Sequence, residues 1–556
     1  MSNLPTIIQG GMGAGVSSWR LAQAVSQLGQ LGVVSGTALD LILARRLQDG
    51  DPGGHMRRGL DRFPIPEMAE RIWQAYYIPG GKAERAAYKP VPMQSKNAPV
   101  ELNELCVVAN FVEVILAREG HDNPVGINYL EKLQLPHLAS IYGSMLAGVG
   151  YVLMGAGVPL KIPGLLDRFT NHESATYVLQ VTGAEDGDDR TIVFAPREFM
   201  GHDLPPLTRP KFIAIIASNT LATTMLKKAD GPVDGLVIEG CTAGGHNAPP
   251  RGKLQLDETG EVIYGERDIV DLEKIRALGV PFWLAGGYGS PEKLTEALAA
   301  GAAGVQVGTA FAFCEESGLR KDYKQALLAK ALSGEARVFT DPAASPTNFP
   351  FKVAQLEGTL SEPNIYAVRP RICDLGFLRE AYRTPMGTID YRCSAEPVTT
   401  YVSKGGKVEN TVGRKCLCNA LMANIGHPQT RNGKYVEQGM VTSGNDLTGI
   451  ARFLPPGTSS YTARDVVVNL MSGVLPVAEK WMPGIAEVLC TGCGLCVEAC
   501  GPKSLAMADG KAVLASPDSC GSEEHCISAC PEDAIRMAWL PFAGNHAVGE
   551  WTDSPK

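Results

Sequence analysis

The chain has 556 residues, of which 45% are hydrophobic and 20% charged, and its formal net charge is −8. This length exceeds what one compact core usually holds, so we expect two or three domains. The negative charge argues against a protein that binds nucleic acid or an anionic membrane. The sequence has no run of about 18 apolar residues, the length that a membrane-spanning helix needs. Its first residues do not have the pattern of a signal peptide. We therefore expect a cytoplasmic protein.

Short apolar runs alternate with helical patterns over the first 320 residues, which is typical of a parallel α/β sheet. Eight such units predict a (β/α)8 TIM barrel at residues 1–320. The predicted strands are Thr6–Gly10, Gly32–Gly36, Val125–Asn128, Tyr151–Met154, Phe212–Ala217, Gly235–Glu239, Phe282–Gly286 and Gly304–Gly308.

Two insertions interrupt the barrel pattern, at about residues 48–100 and 165–208. The second follows the fourth strand and contains a predicted hairpin of Tyr177–Val181 with Thr191–Ala195, which makes it a candidate lid. Beyond the barrel we expect an irregular, mostly helical extension at residues 321–485, with a helix near Lys321–Leu332. A small α+β ferredoxin-like iron–sulfur domain is expected at 486–541, followed by a polar tail at 542–556.

Glycine turns follow the seventh and eighth predicted strands, as Gly286-Gly287 and Gly308-Thr309. Glycine lets backbone N–H groups approach a phosphate, and each turn opens a helix whose N-terminus attracts anions. TIM barrels often bind phosphate at this position. For each of the two turns taken alone, an ordinary tight turn without a ligand is the alternative. Two such turns after consecutive strands predict a phosphate site.

Four of the other predicted strands end in, or lead into, residues that can contact a ligand. Gly11 and Met12 follow strand one, Ser35 and Gly36 end strand two, and Asn128 ends strand three, an arrangement that suits a planar ring with a polar edge. Strand six ends at Glu239 and leads through Gly245 to His246. A histidine at the end of a barrel strand is placed to transfer a proton near neutral pH. The alternative interpretation is a solvated loop histidine without a catalytic role.

Taken in order, these motifs resemble the nitronate monooxygenase (2-nitropropane dioxygenase) superfamily, which includes FMN-dependent enoyl reductases. The motifs are Gln9–Met12, Ala217-Ser218, Glu239 with Ala243–His246, Gly286-Gly287 and Gly304–Thr309. The resemblance implies bound FMN, with its phosphate at Gly286, Gly287, Gly308 and Thr309, and a catalytic His246 that faces the flavin. Our full set of cofactor-binding candidates is Gly11, Met12, Ser35, Gly36, Asn128, Glu239, Gly245, Gly286, Gly287, Gly308 and Thr309.

The insertions and the section from Pro370 to Ser443 look more like one branch of this superfamily. That branch is the trans-acting enoyl reductases of polyunsaturated fatty acid and polyketide synthases. The stretch Tyr391–Val398 is part of the likeness.

Seven of the fourteen cysteines lie between Cys490 and Cys530. The spacing of Cys490, Cys493, Cys496 and Cys500 is that of a bacterial ferredoxin, and Cys530-Pro531 closes a second run. The stretch between the runs, Leu505–Leu514, predicts a hairpin that turns at Asp509-Gly510. In two-cluster ferredoxins the fourth cysteine of each run serves the other cluster. We therefore expect a [4Fe–4S] cluster on Cys490, Cys493, Cys496 and Cys530.

The second predicted cluster has only three cysteines, with Glu523 at the expected fourth position. This departure predicts a [3Fe–4S] cluster, or a [4Fe–4S] cluster with a non-cysteine ligand, on Cys500, Cys520 and Cys526. A zinc site is the alternative, but it leaves the spacings unexplained.

A further group of cysteines falls in the extension, at Cys373, Cys393, Cys416 and Cys418. Four thiols in a loop-rich stretch can bind zinc or another cluster, and they can also be ordinary buried residues. The sequence leaves these alternatives open.

These features predict an FMN- and iron–sulfur-dependent oxidoreductase that reduces an activated C=C bond, with electrons relayed through the clusters to FMN. Oxidation of alkyl nitronates with O2 and a non-catalytic electron-relay subunit are the alternatives. The expected partners are a small-molecule or acyl-thioester substrate and a ferredoxin or other redox protein as electron donor. We expect no nucleic acid and no membrane span, and the sequence leaves a homo-oligomer open.

Overall fold

The computed structural model describes residues 4–202, 204–472 and 479–542. Its largest unit is a ring of eight parallel strands that alternate with helices along the chain. The strands are β1 (Ile7–Gln9), β2 (Gly32–Ser35), β3 (Val125–Leu130), β4 (Tyr151–Gly155), β5 (Lys211–Ile216), β6 (Gly235–Glu239), β7 (Phe282–Ala285) and β8 (Gly304–Val307).

The ring is closed between its first and second strands. The sheet order is β1-β8-β7-β6-β5-β4-β3-β2. Ile8 forms a parallel bridge with Leu31, where Gln9 N donates to Leu31 O at 2.9 Å and Leu31 N donates to Ile7 O at 3.0 Å. The predicted TIM barrel is therefore confirmed, and each predicted strand appears with ends that lie within two residues of the predicted ones.

The barrel has an apolar interior and an apolar outer layer. Side chains of Ile8, Val33, Leu153 and Val237 pack inside with Trp283, whose indole N–H donates to Pro5 O at 2.7 Å. A second cluster joins the outer faces of the strands to the helices. These helices are Trp19–Gln27, Leu39–Gln48, His55–Leu60, Pro66–Tyr76, Val100–Ala117, His137–Leu146, Ile162–Thr170, Pro196–Met200, Asn219–Lys228, Leu272–Arg276, Pro291–Ala299 and Thr309–Ala312. Among the described residues, no helix is long and apolar enough to cross a membrane.

The second insertion forms the expected hairpin, with Ala175–Val178 antiparallel to Thr191–Phe194. The next short strand, Val181–Thr182, pairs in parallel with Glu380–Arg383 of the extension, which in turn pairs with Ile389–Arg392. This pairing holds the insertion against the extension.

The extension contains helices and two further small sheets. The sheets pair Val338–Asp341 with Phe351–Ala354 and Thr430–Arg431 with Tyr435–Val436. The predicted helix at Lys321–Leu332 is present with these bounds. The other helices are Pro363–Val368, Val398–Ser403, Leu417–Asn424 and Ala463–Ser472.

The C-terminal module is built from two antiparallel strand pairs and two single-turn helices. Glu479–Ile485 pairs with Ile535–Pro541, and Leu505–Ala508 pairs with Lys511–Leu514 in the predicted hairpin. The helices are Leu495–Glu498 and His525–Ser528. Of the predicted tail, residues 543–556 lie outside the described residues.

Substitution of Gly304 should test how tightly β1 is held. A Cβ at this position would stand 1.9 Å from Thr6 O, so the backbone of the closing strand would have to move. We expect Gly304→Ala to destabilise the protein by about 3 kcal/mol or more, because overpacking against backbone cannot relax by side-chain rotation. Thermal unfolding would measure the loss. Gly265→Ala is the control, since its Cβ would meet nothing within 4 Å, and an equal effect of both changes would contradict this view of closure.

Candidate active site

One cavity of about 240 Å³ opens at the carboxyl ends of the barrel strands. Eleven of the twelve predicted flavin-site residues line it, although they come from six different strands or the loops that follow them. They are Gly11, Met12, Ser35, Asn128, Glu239, Gly245, His246, Gly286, Gly287, Gly308 and Thr309.

Gly36 is the exception. It does not line this cavity, and a Cβ built on it would lie 2.3 Å from the ring of Tyr129. Its small size therefore makes room for an aromatic ring behind β3, and the structure does not bring Gly36 into the cavity with the other predicted residues.

The predicted lid also lies elsewhere. No described residue of the insertion at 165–208 lines the cavity. The hairpin is held away from the cavity by two contacts. The strand after it pairs with the extension, and Tyr177 Oη donates to Glu131 Oε1 at 2.9 Å.

The loop after β1 is shaped by two buried polar side chains. Gln9 Nε2 donates to Ser17 Oγ at 2.8 Å, and Gln9 Oε1 accepts from Val33 N at 2.9 Å. Ser17 Oγ donates to Gly10 O and accepts from Met12 N, both at 2.9 Å. Together these bonds fix the backbone that carries Gly11 and Met12 into the cavity.

The glycine turn after β7 has a conformation that L-residues rarely adopt. Gly286 and Gly287 have φ of +88° and +75°. A Cβ on Gly286 would lie 3.0 Å from Thr242 Oγ1 and 3.1 Å from Ala243 N, so a side chain would fill the space at this turn. Arg452 donates to Gly289 O at 3.2 Å and lies 3.9 Å from the Asp446 carboxylate, which adds one positive and one negative group at this end.

A loop of the extension, residues 442–446, closes the same end of the cavity. Gly245 N donates to Thr442 Oγ1 at 2.9 Å, Gly444 N donates to Thr309 Oγ1 at 2.9 Å, and Asn445 N donates to Thr242 O at 3.0 Å. Sequence reasoning missed this loop, because no local motif shows that it returns to the barrel.

His246 is held by a second segment of the extension. Its Nε2 lies 2.7 Å from Ser345 Oγ, and its ring packs nearly edge-on against Phe351 at 4.9 Å. Burial, together with the nearby Lys132 ammonium group, lowers the pKa of His246 to about 3. The imidazole is therefore neutral at physiological pH, unlike the histidine expected to titrate near neutrality, because the extension shields it from water.

Glu239 is the cavity-lining group that titrates near neutral pH. It ends β6, and burial raises the pKa of its carboxyl to about 7. It can therefore hold a proton or release one under ordinary conditions.

The rest of the cavity wall is mostly apolar. Its side chains come from the barrel and from the extension, and they include Leu130, Ile215, Phe351, Phe377, Leu421, Val441 and Phe453. The cavity thus joins a glycine-rich end to an apolar region, with His246 and Glu239 in the same wall.

The residues present fit the FMN implied by the resemblance. Glycine turns free of side chains suit a phosphate, and Asn128 and Ser35 offer polar groups to a ring edge. The glycine end would hold the phosphate through backbone groups, with Arg452 near Gly289.

The structure brings the seven cysteines of the C-terminal module into two sets. The first lines a cavity of about 10 Å³ and consists of Cys490, Cys493, Cys496 and Cys530. The second consists of Cys500, Cys520 and Cys526; burial, followed by the other two thiols, raises the pKa of Cys526 to about 12. These are the groupings that the spacing predicts. Among the described residues, no three His, Cys, Asp or Glu side chains are arranged to hold a single metal ion.

The second cysteine set adjoins the barrel. Arg20, in the helix after β1, donates to Ser522 O and Glu523 O, both at 3.3 Å. Burial raises the pKa of Glu523, the residue at the predicted fourth-ligand position, while Arg20 opposes the shift. Val16 of the same β1 loop lines the main cavity, so a short stretch of chain separates the module from the candidate site.

Part of the chain is similar to known proteins. Residues 206–341 match the family model described as nitronate monooxygenase. A probable nitronate monooxygenase of Bacillus subtilis is 34% identical over 132 residues, which is 23% of this chain and 36% of that protein. The nitronate monooxygenase of Pseudomonas aeruginosa is 32% identical over 136 residues, 24% of this chain and 37% of that protein. The matches to these relatives span little more than a third of each. The segment that matches the family model, 206–341, contains Glu239, His246 and both glycine turns.

Solved structures align over more of the chain at low identity. FabK from Thermotoga maritima aligns with a TM-score of 0.41 and 16% identity, covering 84% of this chain and 91% of its own. Nitroalkane oxidase from Streptomyces ansochromogenes aligns with a TM-score of 0.41 and 15% identity, covering 84% and 95%.

Replacing Glu239 should change how stability depends on pH. The folded pKa of about 7 lies above the value of about 4.3 in an unfolded chain, so wild-type stability falls as the pH rises through this interval. Glu239→Gln cannot ionise, and its melting temperature should approach or exceed that of wild type as the pH rises. The expected relative gain between about pH 5 and pH 8 is on the order of 2–3 kcal/mol.

The measurement is thermal unfolding at both pH values, on protein freed of bound small molecules. Glu258→Gln, at an exposed glutamate, is the control. A difference from wild type that does not vary with pH would contradict the assignment.

Proposed function

We propose that this chain is an FMN- and iron–sulfur-dependent oxidoreductase that reduces an activated C=C bond, such as that of an enoyl thioester. The observation that supports it most is the single cavity in which a glycine turn, a neutral histidine and an apolar wall meet. When bound, FMN supplies the hydride for such a reduction.

The residues of the cavity suit an acyl thioester. The apolar wall excludes water and packs against an acyl chain. When Ser345 Oγ donates to His246 Nε2, the proton of the neutral imidazole is on Nδ1, from which it can donate a hydrogen bond to a thioester carbonyl. Glu239, with a pKa of about 7, can deliver the proton that accompanies the hydride.

Electrons would enter through the C-terminal module, in which two cysteine sets match the ligands of two clusters. The contact of Arg20 with Ser522 and Glu523 places the second set against the helix that follows the β1 loop. A ferredoxin or another redox protein is the proposed donor.

Nitronate oxidation is the second candidate function, since residues 206–341 are similar to nitronate monooxygenases. In that reaction His246 would act as a base. A histidine with a pKa of about 3 is a weak base at neutral pH, and this favours the reductase.

The deciding experiment is a substrate screen. Purified protein would be offered enoyl thioesters of several chain lengths with a reduced ferredoxin under anaerobic conditions, and alkyl nitronates in air. We expect saturated thioester as product and FMN as the extracted flavin. Nitronate turnover alone would favour the second candidate, and electron transfer without turnover of either substrate would leave a relay subunit.

His246→Ala should separate the two halves of the reaction. Substrate reduction should fall about 10²–10³-fold, the usual effect of removing a positioned hydrogen-bond donor. Reduction of the flavin by the donor should be nearly unchanged, because no substrate takes part in that half-reaction and the hydrogen bond from His246 is not needed. Stopped-flow measurement of each half-reaction would test this, with His121→Ala as a control outside the cavity. An equal loss in both halves would mean that His246 supports the fold or the flavin instead.

Cys493→Ala should interrupt the path from the donor. This cysteine is exposed and lines the cavity of the first cysteine set. Donor-driven flavin reduction should drop to the rate seen without donor, while direct reduction by dithionite should persist. Cys314→Ala, at a buried cysteine outside the module, is the control for loss of a thiol elsewhere in the chain. Normal donor-driven rates in Cys493→Ala would contradict the electron path.

A further inference from the structure

Four cysteines of the extension line a second small cavity, away from the C-terminal module. They are Cys373, Cys393, Cys416 and Cys418. They come from three segments of the chain, and the first and last are 45 residues apart. The remaining lining residues are apolar or small and include Leu375, Leu378, Ala395 and Leu417. The fold therefore gathers four thiols that the sequence leaves far apart.

The four thiols lie near one another. Cys373 and Cys393 are neighbours, and Cys416 and Cys418 both lie near Cys373. Cys393 and Cys416 are buried, and the other two are partly buried.

The surroundings of the cavity suit sulfur atoms that carry negative charge. Asn419 Nδ2 donates to Cys416 Sγ at 3.5 Å. Arg369, Arg379 and Arg414 each attract one of the cysteines, whereas the Glu396 carboxylate acts against negative charge on Cys373. Four thiolates around a zinc ion or an iron–sulfur cluster leave a net negative charge, which buried cations and amide donors stabilise.

The chain contains an internal standard for this cavity. Four cysteines line the cavity of the first set in the module, as four line the cavity of the extension. In the module the backbone Ala534 N donates to Cys530 Sγ at 3.3 Å, and in the extension the donor to sulfur is the side-chain amide of Asn419. The two sets thus share the number of cysteines and an N–H donor to one sulfur atom.

The extension cavity lies behind the wall of the candidate active site. Cys418 and Leu378 line both cavities. A group bound by the four thiols would thus be separated from the main cavity by single side chains.

We propose that Cys373, Cys393, Cys416 and Cys418 bind a metal centre through four thiolates, as a zinc ion or an iron–sulfur cluster. The sulfur atoms do not converge on a single-ion position among the described residues. Zinc would therefore draw them inwards to about 2.3 Å, whereas a cluster would bridge a wider gap. The comparison with the C-terminal module rests on the proposed function, whereas the cavity and its four thiols are features of the extension alone.

The test is metal and sulfide analysis of the full chain purified without oxygen. We expect the C416S/C418S double variant to lose one centre relative to wild type, seen either as one zinc or as the iron and sulfide of one cluster. C314S, at a buried cysteine outside both cavities, should keep the wild-type content. If the variant loses zinc, the four cysteines form a structural zinc site. If it loses iron and sulfide, they bind an iron–sulfur cluster beside the flavin site. Unchanged metal content in a soluble double variant overturns the proposal.

A second variant keeps the test decisive if the double variant does not fold. In that protein all seven cysteines of the C-terminal module are replaced by serine, and the four of the extension remain. We expect it to retain close to one zinc, or one cluster's iron and sulfide, with sulfur ligands visible in X-ray absorption. If it carries only a small fraction of one equivalent of metal, the four thiols are plain core residues and the proposal fails.

Discussion

Closure of the barrel at β1 is the constraint on which the rest of the structure depends. This strand has three residues, and its parallel ladder to β8 and its bonds to Leu31 complete the ring. Gly304 permits the approach, since Thr6 O occupies the place of a Cβ there. Only in a closed ring do the carboxyl ends of the first and last strands stand side by side. Met12 and Gly308 can then face the same cavity although nearly 300 residues separate them.

The barrel and much of the candidate site could be predicted from the sequence because both follow from local patterns. Apolar runs that end in glycine or small polar residues identify strands and their carboxyl ends, and the ends converge once the ring forms. Eleven predicted residues consequently line one cavity. Gly36 lies outside that cavity, because a small residue at a strand end serves equally well to admit a neighbouring ring, here that of Tyr129.

What could not be predicted depends on contacts between distant segments. The partners of His246, Ser345 and Phe351, lie about 100 residues later and carry no motif. Its low pKa follows from that enclosure, so an argument from residue type alone places it near neutrality. Cysteine spacing predicted the sets of the C-terminal module, whereas the scattered group in the extension stayed ambiguous until the fold gathered it. The docking of Arg20 on Ser522 and Glu523 likewise depends on surfaces that the sequence does not display.

The loop at 442–446 sets an order of events during synthesis. All eight barrel strands have been translated once Val307 has been added, and N-terminal units generally fold first as a chain emerges from the ribosome. The bonds from Thr442, Gly444 and Asn445 that close the cavity can form only after some 140 further residues have emerged. Until those bonds form, the glycine-rich end of the cavity lacks the part of its wall that the loop at 442–446 supplies. The cavity is therefore completed late in synthesis, after all eight strands that carry the rest of the site have been made.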